Sequence, residues 1–109
     1  MTRRVIRIAT ASRDLDRHVD YLDENAGREV GDRYASAAGA AFERLRDMPG
    51  IGSLYENANP DLQGLRQWSI PKFEKYCLFY LQIDNVVRIV RILHTSQDVD
   101  GILFLEEIE

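Results

Sequence analysis

The sequence predicts an α+β fold in which an α-helical hairpin packs on a small, mostly antiparallel sheet. Apolar residues recur at helical spacing in the first half of the chain, from Leu15 to Met48. Three segments rich in Val, Ile and aromatic residues follow, separated by short links. A strand-like segment, Arg4–Ile8, precedes the helices. The predicted order is therefore β-α-α-β-β-β, with helices and hairpinned strands in separate parts of the chain.

The first helix begins shortly after the N-terminal strand. Thr10 or Ser12 is predicted to cap it. Asp14 and Asp16 would then lie in its first turn, where the helix dipole favours acidic side chains. Its apolar stripe consists of Leu15, Val19, Leu22 and Ala26. Gly27 follows, and a glycine there suits a left-handed cap at the end of the helix.

The second helix is longer and spans about Glu29–Asp47. Its apolar stripe consists of Val30, Tyr34, Ala37, Ala41, Leu45 and Met48. The many alanines keep its surface small, so the two helices can approach closely. Gly31 and Gly39 each cost roughly 1 kcal/mol relative to alanine inside a helix. We expect Gly39 to mark the helix crossing, and Pro49–Gly50 to end the helix.

An irregular loop and three strands complete the predicted sheet. Residues 49–63 read as a loop without regular structure, because Gly, Pro and Asn recur in it. The strands are Leu65–Ile70, Tyr76–Ile83 and Val86–His94. Pro71–Glu74 joins the first two, and Asp84–Asn85 is a two-residue link of the kind found in tight hairpins. The middle strand is apolar on both faces and should be central.

The chain ends in a short segment, Ser96–Leu105, that is predicted to form a closing helix, although Gly101 weakens it. Internal repeats, linkers and changes in composition are not evident, so residues 1–109 read as a single domain. The N-terminal arginines are not followed by an apolar segment of the secretory type, which predicts a cytoplasmic protein.

Charge and cysteine content limit the classes of function. The formal net charge is −4, with three arginines in the first ten residues and an acidic C-terminal tail. A protein that grips a phosphate backbone usually carries a strong basic footprint, so autonomous DNA or RNA binding is disfavoured. Cys77 is the one cysteine and reads as a small core residue. The sequence has no zinc-ligand spacing and no phosphate-binding loop, and we expect no metal and no cofactor.

The last strand carries polar side chains among its apolar ones. Strand alternation would place Arg88 and His94 on one face together with Val90 and Ile92, and Arg91 on the other. Arginine is rarely fully buried unless it is paired. The strand therefore predicts either a sheet with one open face or arginines that meet a partner.

Arg66, like the arginines of the last strand, either lies on an open face of the sheet or meets a partner. Pairing along the hairpins would bring it close to Arg88 or Arg91, and such guanidinium groups could bind phosphate or carboxylate. The alternative is that each arginine pairs with an acid such as Asp98 and holds the C-terminal segment in place. For Arg66 both interpretations stay open, and for Arg91 we favour the structural one. His94 either acts as a general acid or base or caps the strand end by hydrogen bonding.

An ordered set of residues resembles the ParE/RelE superfamily of bacterial type II toxins. The set is Leu45, Pro49, Gly52, Leu65, Arg66, Phe73, Tyr80, the run Arg91–His94 and Asp98. The resemblance extends over nearly the whole chain, from about Arg4 to Leu105. It implies a fold of the same kind, with a helical hairpin across one face of a small sheet.

The resemblance implies two alternative activities. In the ribonuclease branches, the end of the last strand and the residues after it supply a catalytic tyrosine or histidine with basic residues beside it. Here no tyrosine follows Tyr80 and no basic residue follows Arg91, so a developing phosphorane charge would be poorly stabilised. A RelE-like, ribosome-dependent mRNA endonuclease would have to use Arg66, Arg91 and His94.

The departure from the nuclease pattern makes the chain more similar to the ParE branch. ParE-like toxins lack the catalytic set, bind DNA gyrase so that DNA breaks persist, and contribute to plasmid stabilisation. A chain of this kind catalyses nothing itself. We expect the C-terminal strand and tail to meet the target, with Arg66, Arg88 and Asp98 as the target-binding residues.

The resemblance also implies a ParD-like antitoxin. Such a partner has a dimeric DNA-binding part and a disordered segment that wraps the toxin, so the toxin need not touch DNA itself. We expect Arg7, Arg13 and Arg17 to receive acidic antitoxin side chains, and Tyr21 to offer an apolar contact. The two proteins would form a hetero-oligomeric toxin–antitoxin complex.

Overall fold

A computed structural model describes residues 3–108 of the chain. Its strands and helices, in chain order, are β1 Arg4–Arg7, α1 Ala9–Ala26, α2 Arg28–Asp47, β2 Ser53–Leu54, β3 Arg66–Ile70, β4 Phe73–Ile83, β5 Val86–His94 and α3 Val99–Phe104. The predicted α+β class, the helical hairpin, the antiparallel arrangement of the three long strands and the short C-terminal helix are confirmed.

The sheet has five strands in the order β1-β5-β4-β3-β2. β3, β4 and β5 are joined by direct hairpins and are antiparallel, while β1 runs parallel to β5. The prediction that residues 49–63 lack regular structure was wrong at two places. Ser53–Leu54 forms β2 against β3, and Pro60–Leu62 forms one turn of 3₁₀ helix. Both are too short to produce a periodic pattern in the sequence.

The first hairpin turn is tighter than predicted, and the second is as predicted. Ile70 pairs with Phe73, so only Pro71–Lys72 turns the chain and β4 begins three residues earlier than predicted. Proline at the first central position and Lys72 at φ 74° match a type II turn. The second turn is the predicted Asp84–Asn85, and β4 lies between β3 and β5 as expected.

A bulge in β5 breaks its alternation. The register with β4 shifts so that Val90 has no direct partner. Ile89 and Ile92 pack on the helical side of the sheet, whereas Val90 and Leu93 pack on the opposite side. The prediction that Val90 and Ile92 share a face was therefore wrong, because a bulged strand no longer alternates with period two.

The sheet separates two apolar clusters. The helix-side cluster lies between the sheet and the α1–α2 hairpin, and its largest buried members are Tyr34, Leu45, Ile70, Leu78, Tyr80, Ile89 and Ile92. The tail-side cluster lies on the other face, where α3 covers it, and comprises Leu62, Leu65, Phe79, Leu81, Val90, Leu93 and Leu103. Both faces of the sheet are thus buried.

The start of α1 differs from the prediction. Its N-cap is Ile8, which provides no side-chain cap, and Thr10 and Ser12 lie inside the helix. Ile8 donates its backbone N–H to the Ile89 carbonyl, 3.1 Å away, and accepts from the N–H of Ser12. The chain therefore passes from β1 into the helix without the extra turn that a polar cap would need. Asp14 consequently lies beyond the first turn.

The two helices approach each other closely at Gly31. A Cβ there would collide with Asp23 and crowd the Val19 carbonyl of α1, whereas a Cβ at Gly39 would meet nothing within 4 Å. The expectation that Gly39 marks the helix crossing was wrong. Gly27 joins the helices at φ 102°, a backbone angle that favours glycine, although its ψ of 152° is not that of a left-handed cap.

Candidate functional site

Asp14 is a buried carboxylate that joins α1 to β5. Its oxygens accept from Arg91 in two bonds, Nε at 2.7 Å and Nη2 at 2.8 Å, and from the backbone N–H of Ile92 at 3.0 Å. Arg17 donates to the same carboxylate at 2.9 Å. Strand β1 ends at Arg7, so Asp14 satisfies an N–H of β5 that a strand partner no longer reaches.

Arg91 is held on both sides by acids. Besides Asp14, its Nη1 lies 3.6 Å from Glu106 in the C-terminal segment. The hydrogen bond to Asp14, aided by the charge of both acids, raises the pKa of Arg91 despite its burial. Asp98, the acid expected as a partner, instead accepts from the Gly101 N–H at 3.2 Å and caps α3. The arginine thus ties the sheet to α1 and to the tail, but through different acids.

Arg66 lies in a separate network at the other side of the sheet. Its Nη1 donates to the Gly52 carbonyl at 2.6 Å. The Gly52 N–H donates to the hydroxyl of Tyr80 at 3.0 Å, and that hydroxyl donates to the Pro49 carbonyl at 2.7 Å. Burial is the main reason that the pKa of Tyr80 is raised. This network fixes the loop that leads into β2.

The expectation that hairpin pairing brings Arg66 beside Arg88 or Arg91 was wrong. Arg66 pairs with Tyr80, which belongs to the helix-side cluster, whereas Arg88 and Arg91 pair with Leu81 and Phe79 of the tail-side cluster. All of β4 lies between them, so their backbones are roughly 10 Å apart, and their side chains leave opposite faces of the sheet.

His94 lies in a different place again. It ends β5, and its ring packs edge-on against Tyr76 with centroids 4.8 Å apart. Its Nδ1 accepts from the Ser96 N–H at 3.0 Å and lies 2.8 Å from the Ser96 hydroxyl. Because Nδ1 accepts a backbone N–H, the ring carries its proton on Nε2 in this arrangement.

The cleft beside His94 has a volume of about 350 Å³. It is lined by Arg17, His18, Tyr21, Tyr76, His94, Ser96 and Gln97. The structure therefore groups the nuclease candidate His94 with the antitoxin candidates Arg17 and Tyr21, and not with Arg66 or Arg91. Its wall can offer hydrogen bonds and aromatic edges to a partner side chain.

His18 was not singled out by sequence reasoning. Its Nδ1 lies 2.9 Å from the Tyr34 hydroxyl, and its ring packs edge-on against Tyr76. Burial lowers the pKa of His18 to about 4, against an opposing effect of Asp14. Burial also raises the pKa of Tyr34. The available signal was its position within the apolar stripe of α1, one residue before Val19.

The four antitoxin candidates do not share one neighbourhood. Arg13, Arg17 and Tyr21 recur every four residues on α1, and the Tyr21 side chain is 60% exposed. Arg7 lies on β1, with its guanidinium carbon 5.3 Å from the centre of the Phe42 ring on α2. The helical three form a continuous outer face, and Arg7 stands apart from it.

Asn59 was also missed, and it fixes the C-terminal segment. Only 4% of it is exposed, and its amide donates to the carbonyls of Leu103 at 2.8 Å and Glu106 at 2.9 Å. Tyr55 adds a hydrogen bond to Asp100, which raises the pKa of Tyr55 to about 12. A single Asn in a Gly- and Pro-containing loop gives no signal that it is buried, because its partners lie more than 40 residues away.

The other candidate features are the cysteine, possible metal ligands and possible membrane-spanning helices. Cys77 is half-buried against the tail-side cluster, with its thiol 3.5 Å from the Ser69 hydroxyl. Across residues 3–108, His, Cys, Asp and Glu side chains do not gather in threes that could hold a metal ion. Over the same residues, none of the helices is both long enough and apolar enough to cross a membrane.

Comparison with known proteins decides the family. The family model described as "ParE toxin of type II toxin-antitoxin system, parDE" matches residues 5–99. The chain belongs to the ParE toxin family. It is therefore the toxin component of a ParDE-type toxin–antitoxin system, which implies an antitoxin partner. The suspected membership is confirmed.

A solved structure supports the ParE fold independently. A chain of the "Chromosomal ParDE TA system from P. aeruginosa" superposes with a TM-score of 0.70 at 16% sequence identity, covering 85% of this chain and 96% of that one. At this identity the likeness shows the shared fold. Curated protein sequences gave no match to the chain.

Proposed function

We propose that this ParE-family toxin acts by binding DNA gyrase in the cytoplasm and does not itself cleave nucleic acid. The observation that carries the proposal is the separation of Arg66, Arg91 and His94, which a RelE-like nuclease would need at one phosphate. Arg91 is paired with Asp14 and Glu106, Arg66 bonds the Gly52 carbonyl, and His94 Nδ1 is occupied by Ser96. Stabilising a transferring phosphoryl group needs preorganised cations aimed at one point.

The target-facing region that we propose is the end of β5 together with α3. Phe104 and Leu105 are 57% and 77% exposed there, next to an acidic tail. Of the expected target-binding residues, Asp98 caps α3 within this region. Arg66 bonds the Gly52 carbonyl on the other side of the sheet and lies outside the region. Arg88, near the start of β5, is a separate proposed contact.

We further propose that a ParD-like antitoxin neutralises the toxin and contacts the α1 face of Arg13, Arg17 and Tyr21, with Arg7 as a separate contact. Charged side chains on an exposed helical face can steer and orient an acidic partner. The toxin's net charge of −4 is compatible with a protein target and with DNA contact that is made by the antitoxin alone.

The test compares gyrase and RNA readouts for the same protein. Purified toxin is added to DNA gyrase in a supercoiling and DNA-cleavage assay, and in parallel to a reconstituted translation system with a defined mRNA. We expect loss of supercoiling, accumulation of cleaved DNA and intact mRNA. His94→Ala should retain the gyrase effect, because the His94 ring packs against Tyr76 on the helix side of the sheet, away from α3, and serves no catalytic step in this proposal.

Ribosome-dependent mRNA cuts that disappear in His94→Ala would overturn the proposal in favour of the nuclease. Phe104→Ser tests the target-facing region. Met48→Ser is the matched control, because Met48 lies at the end of α2 and is similarly exposed, at 47%. Equal gyrase inhibition by the two variants would place the contact elsewhere.

A further inference from the structure

A second surface, distinct from the α1 face, is an apolar groove between α2 and the β3–β4 hairpin. The groove has a volume of about 820 Å³. Its apolar lining consists of Ala37, Ala40, Ala41, Ile51, Trp68 and Phe73. Trp68 and Phe73 are only half-buried, so the groove presents aromatic surface that the fold itself does not cover.

The groove is open because two elements stop short of filling it. Ala37, Ala40 and Ala41 give α2 a low surface there, and β2 is only two residues long. β2 pairs with Arg66 and Gln67, so within the described chain the outer edge of Trp68–Ile70 has no strand partner. An extended partner could therefore add main-chain hydrogen bonds at this edge and insert side chains into the groove.

The rim of the groove is positively charged. Arg33, Arg44 and Lys72 line it against a single acid, Asp32. A net excess of two positive charges around an apolar channel favours a partner segment that alternates acidic and apolar residues, since complementary charge suppresses wrong partners and fixes register. On a chain with a net charge of −4, this local excess is a departure from the average surface.

We propose that this groove is the docking site for an acidic, apolar-rich segment of the antitoxin. The proposal rests on the antitoxin arm of the proposed function and adds a location and a chemistry to it. The segment would run along the β3 edge, place apolar side chains against Trp68 and Phe73, and direct carboxylates to Arg33, Arg44 and Lys72. The α1 face then supplies a second contact to a partner that wraps the toxin.

The test fills the groove without disturbing the core. Ala40→Trp places a large ring in the channel from an exposed position, and Ala35→Trp places the same ring on an exposed part of α2 outside it. The probe is the protein encoded beside the gene for this chain, purified and titrated calorimetrically. We expect Ala40→Trp to weaken binding at least about 30-fold, the scale of a binding hot spot, and Ala35→Trp to change it less than about 3-fold.

A charge pair of variants tests the rim. Arg44→Glu should weaken binding and reduce its salt dependence, whereas Arg28→Glu, at the exposed start of α2 and outside the groove, should leave both nearly unchanged. Circular dichroism spectra and melting curves of all four variants confirm that they remain folded. In cells, Ala40→Trp should stay toxic but escape neutralisation, which a merely destabilised toxin would not do.

The outcomes separate this proposal from the proposed function. If the neighbouring protein binds the wild type, and the groove and control variants bind equally well, the groove is overturned while the toxin–antitoxin pairing stands. If Ala40→Trp keeps its antitoxin but loses gyrase inhibition, the groove belongs to the target and the proposal is overturned. If the neighbouring protein does not bind wild-type toxin at all, both the groove proposal and the antitoxin arm fail.

Discussion

At the scale of single residues, two buried polar side chains determine how the parts of this ParE toxin are held together. Asp14 is 1% exposed and Asn59 is 4% exposed. Buried polar groups are costly unless they are hydrogen-bonded, and both are fully engaged with partners distant in sequence. Asp14 joins α1 to β5, and Asn59 joins the loop after β2 to the C-terminal segment.

Sequence reasoning gave these residues other roles or none. The sequence predicts that Asp14 lies in the first turn of α1 as a partner of the helix dipole, because it predicts a polar cap at Thr10 or Ser12. Its actual partner, Arg91, lies 77 residues away. That pairing depends on where β1 ends and on the bulge in β5, and neither feature has a signature in the order of apolar residues.

Asp14→Asn should lower the free energy of unfolding by about 3 kcal/mol, because it removes one partner of a buried, doubly hydrogen-bonded ion pair. Urea denaturation followed by circular dichroism measures the change. The matched control is Asp16→Asn, an exposed position on the same helix, which should change stability by less than about 0.5 kcal/mol. Equal effects of the two variants would show that the pair contributes little.

At the scale of elements, the helices and strands of four residues or more were predictable, and the two shortest elements were not. The two helices were found from apolar periodicity and β5 from its run of Val and Ile, with ends within a few residues of the observed ones. β2 was missed because two residues cannot show a period. The bulge at Val90 was missed because a strand with one extra residue reads as an ordinary apolar run.

The position of β2 depends on the close approach of Gly52 to β3 and β4. A Cβ on Gly52 would lie 2.5 Å from the Gln67 carbonyl oxygen and 2.6 Å from the Tyr80 hydroxyl. Both neighbours are fixed, one as backbone and the other as a fully buried ring. The same glycine donates to Tyr80 and accepts from Arg66, so displacing it would disturb the whole network.

Gly52→Ala is therefore expected to destabilise the protein by about 2–3 kcal/mol, the scale of a clash in a packed site together with a lost buried hydrogen bond. Gly50→Ala, in the same loop, should be neutral or slightly stabilising, because its Cβ would meet nothing within 4 Å. Thermal melting of both variants provides the measurement. A Gly52→Ala variant as stable as Gly50→Ala would mean that β2 can move without cost.

At the scale of the whole molecule, the sheet is buried on both faces, and the candidate residues are distributed over its two sides and its edges. The class, the order of the longer elements and the family could be predicted from one sequence. The distribution of Arg66, Arg91 and His94 could not, since it depends on strand register and on one bulge. This distribution is what favours a toxin that acts by binding.

The stability of the whole molecule should depend on pH through His18 of α1, whose ring contacts Tyr34 of α2 and Tyr76 of the sheet. Burial lowers its pKa in the folded protein to about 4, from an ordinary value of 6.5 in the unfolded chain. Between these two pH values the unfolded state binds a proton that the folded state does not. The free energy of unfolding therefore falls as the pH drops from about 6.5 towards 4, by roughly 1–2 kcal/mol once solvent screening of this partly exposed ring is allowed for.

The groups that face His18 set the size of this effect. The Asp14 carboxylate favours the charged ring. Arg17, His94 and Arg91 disfavour it, and burial, the largest effect, acts in the same direction. Urea denaturation of the wild type at pH 7 and pH 4.5 should thus show a larger loss of stability than the same pair of measurements on His18→Gln. His94→Gln, which changes the other histidine of the same cleft, should retain the wild-type loss. If His18→Gln loses as much stability as the wild type, the imidazole is not held neutral by burial, and the acid sensitivity comes from the carboxylates instead.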